Sequence, residues 1–176
     1  MKTIYIVRHC QAEGQEAGAP LTPDGLAQAD RLADLLTDCQ IERIISSPYI
    51  RAKDSVAPLA GRLKLPVELD ERLVERVLRA GFITDWQQHL EASFRDLDFC
   101  LEGGESSRAA MRRIVSVVDE IRKHPAEITL LATHGNLMAL LLKYFDDAVG
   151  FTEWQKLTNP DVYRVALTQP PRMQRI

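Results

Sequence analysis

Two hydrophobic patterns alternate along the chain. Short apolar runs rich in β-branched and aromatic residues, each bounded by polar positions, predict buried strands. The predicted strands are residues 3–7, 42–46, 66–69, 128–133 and 162–168. The run at 66–69 begins with a proline, which cannot donate to a neighbouring strand, so we expect it at a sheet edge.

Longer stretches with apolar residues every three or four positions predict helices between these strands. Thr22-Pro23 and Ser47-Pro48 each look like a capping residue followed by proline at the first helical position. Pro58 should kink or divide the second helix. The predicted helices follow Pro23 to Leu36, Ser47-Pro48 to Leu63, about 83–95, Ser106 to about 123, and about 137–145.

The alternation of strands and helices predicts the fold class. Strands that are apolar on both faces must be covered by helices on both sides. We therefore expect an α/β fold, a three-layer α/β/α sandwich with a mostly parallel central sheet. Residues 1–176 are predicted to form a single domain, without internal repeats or linkers.

Composition removes several classes of function. The 176 residues carry a formal net charge of -3 with a pI of about 5.8, so no basic field attracts nucleic acid. No apolar run is long enough to span a membrane, and because the chain opens on a predicted strand we expect no signal peptide. Three cysteines without a CxxC pair argue against a disulfide framework or a zinc site and for a reducing, cytoplasmic compartment.

Two histidines occupy equivalent places. His9 follows the first predicted strand and His134 follows the strand at 128–133. Ligands of open α/β sheets bind outside the carboxyl ends of the strands, so both imidazoles should reach one crevice if these strands are neighbours. The alternative for each histidine alone is an ordinary polar residue at a strand end.

Two arginines are placed to join this crevice. Arg8 precedes His9, and Arg51 falls in the first turn of the second helix, where backbone N–H groups also favour an anion. Convergence of these side chains predicts a site for a compact dianion such as phosphate. For Arg51 the alternative is a surface ion pair with Asp54 or Glu42.

Six short motifs then occur in order along the chain. They are Arg8-His9-Cys10-Gln11-Ala12, the run from Leu21 to Ala29, the run from Ser46 to Ala52, Leu73-Val74-Glu75, Gly103 to Ser106, and His134-Gly135. In this order they resemble the RHG[EQ][ST], LTxxGxxQA, SSPxxRA, LxE, GGES and HG motifs of the histidine phosphatase superfamily, also called the phosphoglycerate mutase-like family.

The resemblance implies a role for each matched residue. His9 would attack phosphorus and become phosphohistidine, while Arg8, Arg51 and His134 would bind the phosphoryl oxygens. Glu75 would protonate the leaving oxygen and later activate water. The residue types suit this chemistry, because a neutral imidazole is a nucleophile that needs no metal and arginines hold charge against the equatorial oxygens. We therefore expect neither a metal nor a cofactor.

Glu75 has competitors for the acid role. Asp70, Glu71 and Glu13 are other carboxylates near matched motifs. The alternative for Glu75 is an exposed charge paired with Arg72 or Arg79.

Three positions depart from the family pattern. Cys10 replaces the usual glycine, and Ala12 replaces a hydroxyl residue. Gln15 stands where many members have an asparagine that touches phosphate, so that role is carried over with a longer side chain. Cys10 would make activity sensitive to oxidation if the cationic pocket stabilised its thiolate.

We expect a phosphatase that acts on a small phosphorylated metabolite. Family mutases are longer chains that close the site with extra segments, whereas here the segment 76–102 is short and is expected to form a small cap that sets specificity. Most of its aromatic residues are expected in the core, with one or two contacting a ring-bearing substrate. The alternatives are mutase-type phosphoryl transfer and a non-catalytic phospho-ligand-binding protein. The oligomeric state stays open, a homodimer included.

Overall fold

The computed structural model describes all 176 residues, which build one six-stranded sheet. The strands are β1 (Thr3–Arg8), β2 (Arg43–Ser46), β3 (Val67–Leu69), β4 (Ile128–Thr133), β5 (Asp161–Ala166) and β6 (Arg172–Arg175). Their order is β3-β2-β4-β1-β5-β6. The first four in this order are mutually parallel, β5 pairs antiparallel with β1, and β6 pairs antiparallel with β5. The predicted edge position of β3 is confirmed.

Helices cover both faces of the sheet. They are α1 (Pro23–Leu36), α2 (Ile50–Leu63), α3 (Trp86–Arg95), α4 (Ser107–Lys123), α5 (Gly135–Phe145) and α6 (Phe151–Gln155), with a 3₁₀ turn at Glu71–Leu73. Alternate residues of β1 enter different cores, because neighbouring strand side chains point to opposite faces. Ile4 and Ile6 pack with α4 and α5, and Tyr5 and Val7 pack with α1 and α2. The predicted three-layer α/β/α fold is confirmed. None of its helices has the length and apolar character needed to cross a membrane.

The parallel pairing of β1 with β4 positions the histidines. Arg8 is in register with Thr133, so His9 and His134 are the next residues of adjacent strands. The His9 N–H also donates to the Thr133 carbonyl at 3.1 Å. The sheet therefore brings the two imidazoles together at one edge.

The start of α2 differs from the prediction. The helix begins at Ile50 with Tyr49 as N-cap, three residues beyond Ser47. Ser47 is not its N-cap: the Ser47 hydroxyl accepts from the Tyr49 N–H at 3.3 Å, ahead of the helix, and lies 2.8 Å from His134 Nε2. Pro58 lies inside α2 without dividing it. By contrast, the predicted cap of α1 is confirmed, since the Thr22 hydroxyl accepts from the Gly25 N–H at 2.9 Å.

Two elements were not predicted, and the expectation for the segment aromatics is partly wrong. Strand β6 has only one apolar residue and α6 is little more than one turn. Neither therefore shows a repeating pattern of apolar residues from which it could be predicted. In the segment 76–102, Phe94 is buried in the core, but Phe82 is 89% exposed and Trp86 44% exposed.

Candidate active site

His9 lies at the base of the site and is 6% exposed. Its Nδ1 is 2.6 Å from the Cys10 carbonyl oxygen, and its Nε2 is 3.2 Å from Nε of Arg51. A carbonyl only accepts and a guanidinium only donates, so these partners assign the proton to Nδ1 and the lone pair to Nε2. The nitrogen that can attack an electrophile therefore faces Arg51.

The surroundings of His9 keep its ring neutral. Burial, together with the positive charges of Arg51 and Arg8, lowers the pKa of His9 to about 4, against the opposing effect of the hydrogen bond to Cys10. Neutral imidazole is the nucleophilic form. The lone pair on Nε2 is thus available throughout the neutral pH range.

Arg51 reaches the site from the first turn of α2 and is 1% exposed. Its Nη1 donates to the Glu16 carbonyl at 2.8 Å, and its guanidinium lies 5.0 Å from the centre of the Tyr49 ring. The alternative of a surface ion pair with Asp54 or Glu42 is wrong, because the side chain is buried and turned to His9.

Arg8 precedes the nucleophile and contacts the chain after α6. Its Nη1 donates to the Leu157 carbonyl at 3.1 Å, which fixes the guanidinium against the chain between α6 and β5. A Cβ on Gly135 would stand 3.0 Å from both Nε and Cζ of Arg8. Gly135 of the HG motif therefore leaves room for Arg8 beside the first residue of α5.

His134 is fully buried, and its ring centre lies 5.2 Å from that of His9. Burial lowers the pKa of His134 to about 2, and the nearby His9, Arg51 and Arg8 act in the same direction. His134 is therefore neutral and carries one N–H. Its Nδ1 has no hydrogen-bond partner, so the ring has an unused nitrogen beside the nucleophile.

Glu75 borders the site at the start of α5. Its Oε1 accepts from the N–H groups of Arg76 and Leu137 at 2.8 and 3.0 Å, and its Oε2 accepts from the Asn136 N–H at 2.9 Å. The carboxylate thus caps a helix that has no other side-chain cap. Oε1 accepts two hydrogen bonds and Oε2 only one, so Oε2 has more capacity left to bind a proton.

The competing acids have other partners or lie elsewhere. Asp70 accepts from the backbone N–H and the guanidinium of Arg72, and Arg72 also pairs with Glu120. Glu71 and Glu13 are exposed. The alternative that pairs Glu75 with Arg72 is therefore wrong.

A cavity of about 420 Å³ opens beside these residues. Arg8, Glu75 and Gln15 all line it, so the structure brings the predicted glutamine to the same cavity as two predicted site residues. The complete lining is Arg8, Gln15, Glu75, Arg76, Leu78, Trp86, Leu90, Gly135, Asn136 and Trp154.

Unpartnered hydrogen-bonding atoms concentrate around this region. Five buried side-chain polar atoms have no partner, and four of them are nitrogens of Arg8, Arg76, His134 and Asn136. Buried donors are normally satisfied, so a cluster of exceptions favours a site that receives an oxygen-rich anion. No group of three or more histidine, cysteine, aspartate or glutamate side chains is arranged to hold a metal ion.

Cys10 points away from the site. Its side chain is fully buried in the core beneath α1 and α2, and burial raises the pKa of its thiol. The expectation of a thiolate stabilised by the cationic pocket is therefore wrong. The Cys10 N–H donates to the Ser55 hydroxyl at 2.8 Å, which ties the nucleophile loop to α2.

Four residues were missed at the sequence level. Ser55 lies three residues after the SSPxxRA motif of Ser46 to Ala52, and this nearness was the available signal. Asn159 donates to the His9 carbonyl at 2.8 Å from a loop 150 residues away. Arg76 is 6% exposed and donates to the hydroxyls of Ser93 and Ser107. Asn136, which follows the HG motif, carries one of the unpartnered nitrogens.

Comparison with curated proteins finds two kinds of relative. An uncharacterized protein of Mycobacterium tuberculosis is 38% identical over 79 residues, which are 41% of this chain and 39% of that protein. The alignment therefore spans about two fifths of that relative. The "Putative phosphoserine phosphatase 2" of Hydrogenobacter thermophilus is 27% identical over 153 residues, or 78% of this chain and 75% of that protein.

Solved structures share the fold across nearly the whole chain. A mycobacterial glucosyl-3-phosphoglycerate phosphatase in complex with inorganic phosphate matches with a TM-score of 0.79 and 24% identity, covering 100% of this chain and 96% of the other. An α-ribazole-5'-P phosphatase from Escherichia coli, described as putative, matches with a TM-score of 0.76 and 17% identity, over 99% and 95% of the two chains.

The family model of the histidine phosphatase superfamily (branch 1) matches residues 4–170. This range contains all six motifs and the strands and helices that carry them. The sequence-based prediction of a histidine phosphatase is thereby confirmed at the level of the family. The chain belongs to branch 1 of the histidine phosphatase superfamily.

Proposed function

We propose that the protein is a metal-independent phosphatase that hydrolyses a phosphomonoester through a phosphohistidine on His9. One observation carries the proposal. The lone pair of a neutral, buried His9 faces the Arg51 guanidinium, the charge of Arg8 acts on the same ring, and buried donors nearby have no partner. A nucleophile surrounded by cationic donors suits phosphoryl transfer, in which positioning and charge stabilisation provide most of the catalysis.

In the first step Nε2 of His9 attacks phosphorus, and the bond between phosphorus and the substrate's alcohol oxygen breaks. Arg8, Arg51 and His134 bind the three equatorial oxygens. Glu75, protonated at Oε2, delivers its proton to the leaving oxygen, so the product leaves as a neutral alcohol. The hydrogen bond from Nδ1 to Cys10 supports the positive charge that develops on the ring.

In the second step water attacks phosphorus from the side that the alcohol has left. The Glu75 carboxylate takes a proton from this water, the bond from Nε2 to phosphorus breaks, and inorganic phosphate is released. The two backbone N–H groups of α5 hold Glu75 in one orientation. The same oxygen can therefore donate in one step and accept in the next.

The proposed substrate is a small phosphomonoester. The cavity of about 420 Å³ has the size of a small-molecule site and opens next to Glu75. The relatives named for phosphoserine and glucosyl-3-phosphoglycerate act on compounds of this size. We propose that the segment 76–102, which supplies Leu78, Trp86 and Leu90 to the cavity, sets the preference among such esters.

Hydrolysis of p-nitrophenyl phosphate in the presence of EDTA tests the proposal. The wild type should turn over, and His9→Ala should lose turnover while keeping the wild-type unfolding midpoint. His89→Ala, a histidine outside the site, should retain activity. After incubation with a radiolabelled phosphate ester, the wild type should carry label as phosphohistidine, which is acid-labile and base-stable. His9→Ala should carry none. Turnover that survives His9→Ala, or that EDTA abolishes, contradicts the mechanism.

A further inference from the structure

The cavity beside the catalytic residues has two chemically different walls. Its polar lining is Arg8, Glu75, Gln15, Arg76 and Asn136, of which Arg8 and Glu75 belong to the proposed phosphoryl site. Four apolar side chains, here called the apolar wall, also line it, namely Leu78, Leu90, Trp86 and Trp154. Glu75, the proposed proton donor to the leaving oxygen, lines the same cavity, so a leaving group held there would meet both the carboxylate and the apolar wall.

The two tryptophans form the most distinctive part of this wall. Their ring centres are 5.8 Å apart with an angle of 86° between the planes, an edge-to-face arrangement. Phe151 stacks behind Trp154 at 5.3 Å and supports it. Trp86 remains 44% exposed although it is a large apolar side chain. Exposed apolar surface that lines a cavity marks a contact site for an apolar group.

Resting on the proposed function, we propose that the leaving group of the natural substrate carries an aromatic ring that lies against Trp86 and Trp154. An edge-to-face pair offers a third ring one face and one edge, both favourable contacts for an aromatic group. Hydroxyl groups of a sugar that lay against Leu78 and Leu90 would find no hydrogen-bond partner on those two side chains. The apolar wall therefore favours an aromatic alcohol.

A pair of matched esters tests the substrate preference. The leaving alcohols of 2-phenylethyl phosphate and propyl phosphate have similar acidity, so their kcat/KM ratio reports the ring and not the chemistry. The wild type should prefer the phenylethyl ester by about tenfold or more, the discrimination that an apolar pocket provides. Trp86→Ala should reduce this ratio toward one, and Trp86→Phe should retain most of it. Phe82→Ala is the matched control, because this aromatic of the same segment is 89% exposed and does not line the cavity.

Binding can be measured without turnover. Trp86 and Trp154 are the only tryptophans of the chain, so the intrinsic fluorescence comes from the cavity wall. In the His9→Ala protein, 2-phenylethyl phosphate should change this fluorescence with saturation, and propyl phosphate should require at least tenfold higher concentrations.

The outcomes separate the two proposals. Equal hydrolysis of both esters, or a preference that persists in Trp86→Ala, overturns the aromatic leaving group and leaves the phosphatase standing. If the wild type hydrolyses neither ester but 2-phenylethyl phosphate still changes the fluorescence of His9→Ala with saturation, the phosphatase proposal is overturned and the aromatic site is supported. Absence of both signals overturns both.

Discussion

Nε of Arg51 donates a hydrogen bond to Nε2 of His9 at 3.2 Å, and both side chains are almost completely buried. The donor lies in the first turn of α2 and the acceptor directly follows β1. This hydrogen bond therefore connects the start of a helix to the end of a strand. In the proposed mechanism the same guanidinium orients the nucleophile before reaction and neutralises the phosphoryl oxygens during it.

Replacing Arg51 by lysine should lower kcat on p-nitrophenyl phosphate by about 100-fold. Lysine keeps the charge but loses the planar fork that contacts His9 and the Glu16 carbonyl together. Arg62→Lys is the matched control, because Arg62 lies in the same helix and forms an exposed pair with Asp34. Its kcat should stay within twofold of wild type. Equal kcat values for the two variants would contradict the role of Arg51.

Replacing Gly135 by alanine should reduce kcat/KM by about tenfold to 100-fold through Arg8, since a small misplacement of a catalytic group has effects of this size. The new Cβ would stand 3.0 Å from Arg8 Nε, and the guanidinium must move to relieve the contact. The control is Gly61→Ala in α2, where a Cβ meets nothing within 4 Å. That variant should keep full activity and gain up to about 1 kcal/mol in stability. Full activity of Gly135→Ala would show that Arg8 is not constrained by this glycine.

The placement of the histidines could be predicted because it depends on local pattern. His9 and His134 each end an apolar run, and a parallel sheet brings such ends to one edge. Arg51 was predicted for a similar reason, since a proline-marked helix start precedes it. The resemblance to the family then added Glu75, for which the local pattern offered no distinction from Asp70.

The remaining site residues are placed by long-range contacts, which the spacing of apolar residues along the chain does not reveal. Asn159 meets His9 across 150 residues, and the guanidinium of Arg76 is held by Ser93 and Ser107 of two different helices. Ser47 was predicted as the cap of α2, but its hydroxyl accepts from the Tyr49 N–H ahead of the helix and contacts His134 across the fold. Such choices between local and long-range partners are made by packing and cannot be read along the chain.

The thiol of Cys10 should be unreactive in the native protein. It is fully buried, and its raised pKa leaves little thiolate at neutral pH. A Cys39→Ser/Cys100→Ser double variant, which retains Cys10 as its single thiol, should show no reaction with dithionitrobenzoate when folded and one reacting thiol after denaturation. Its phosphatase activity should resist the same reagent. Rapid native modification with loss of activity would instead place the thiol within reach of the site.

Acid should destabilise the fold through the two buried imidazoles. The pKa values of His9 and His134 are lowered to about 4 and about 2, whereas an unfolded histidine titrates near 6.5. Between these values the unfolded chain binds protons that the folded protein excludes, so the free energy of unfolding falls as pH drops below about 6.5. From pH 7 to pH 5 each imidazole should cost about 2 kcal/mol.

Guanidinium denaturation at pH 7 and pH 5 measures this effect. The pH dependence should be shallower in His134→Gln than in the wild type by about 2 kcal/mol over the interval, whatever the absolute stability of the variant. The comparison uses the slope because the substitution also changes the contact with Ser47. The window stops at pH 5 so that most carboxylates stay ionised. An unchanged slope would mean that His134 takes up a proton in the folded state, and it could not then be the neutral phosphate ligand of the mechanism.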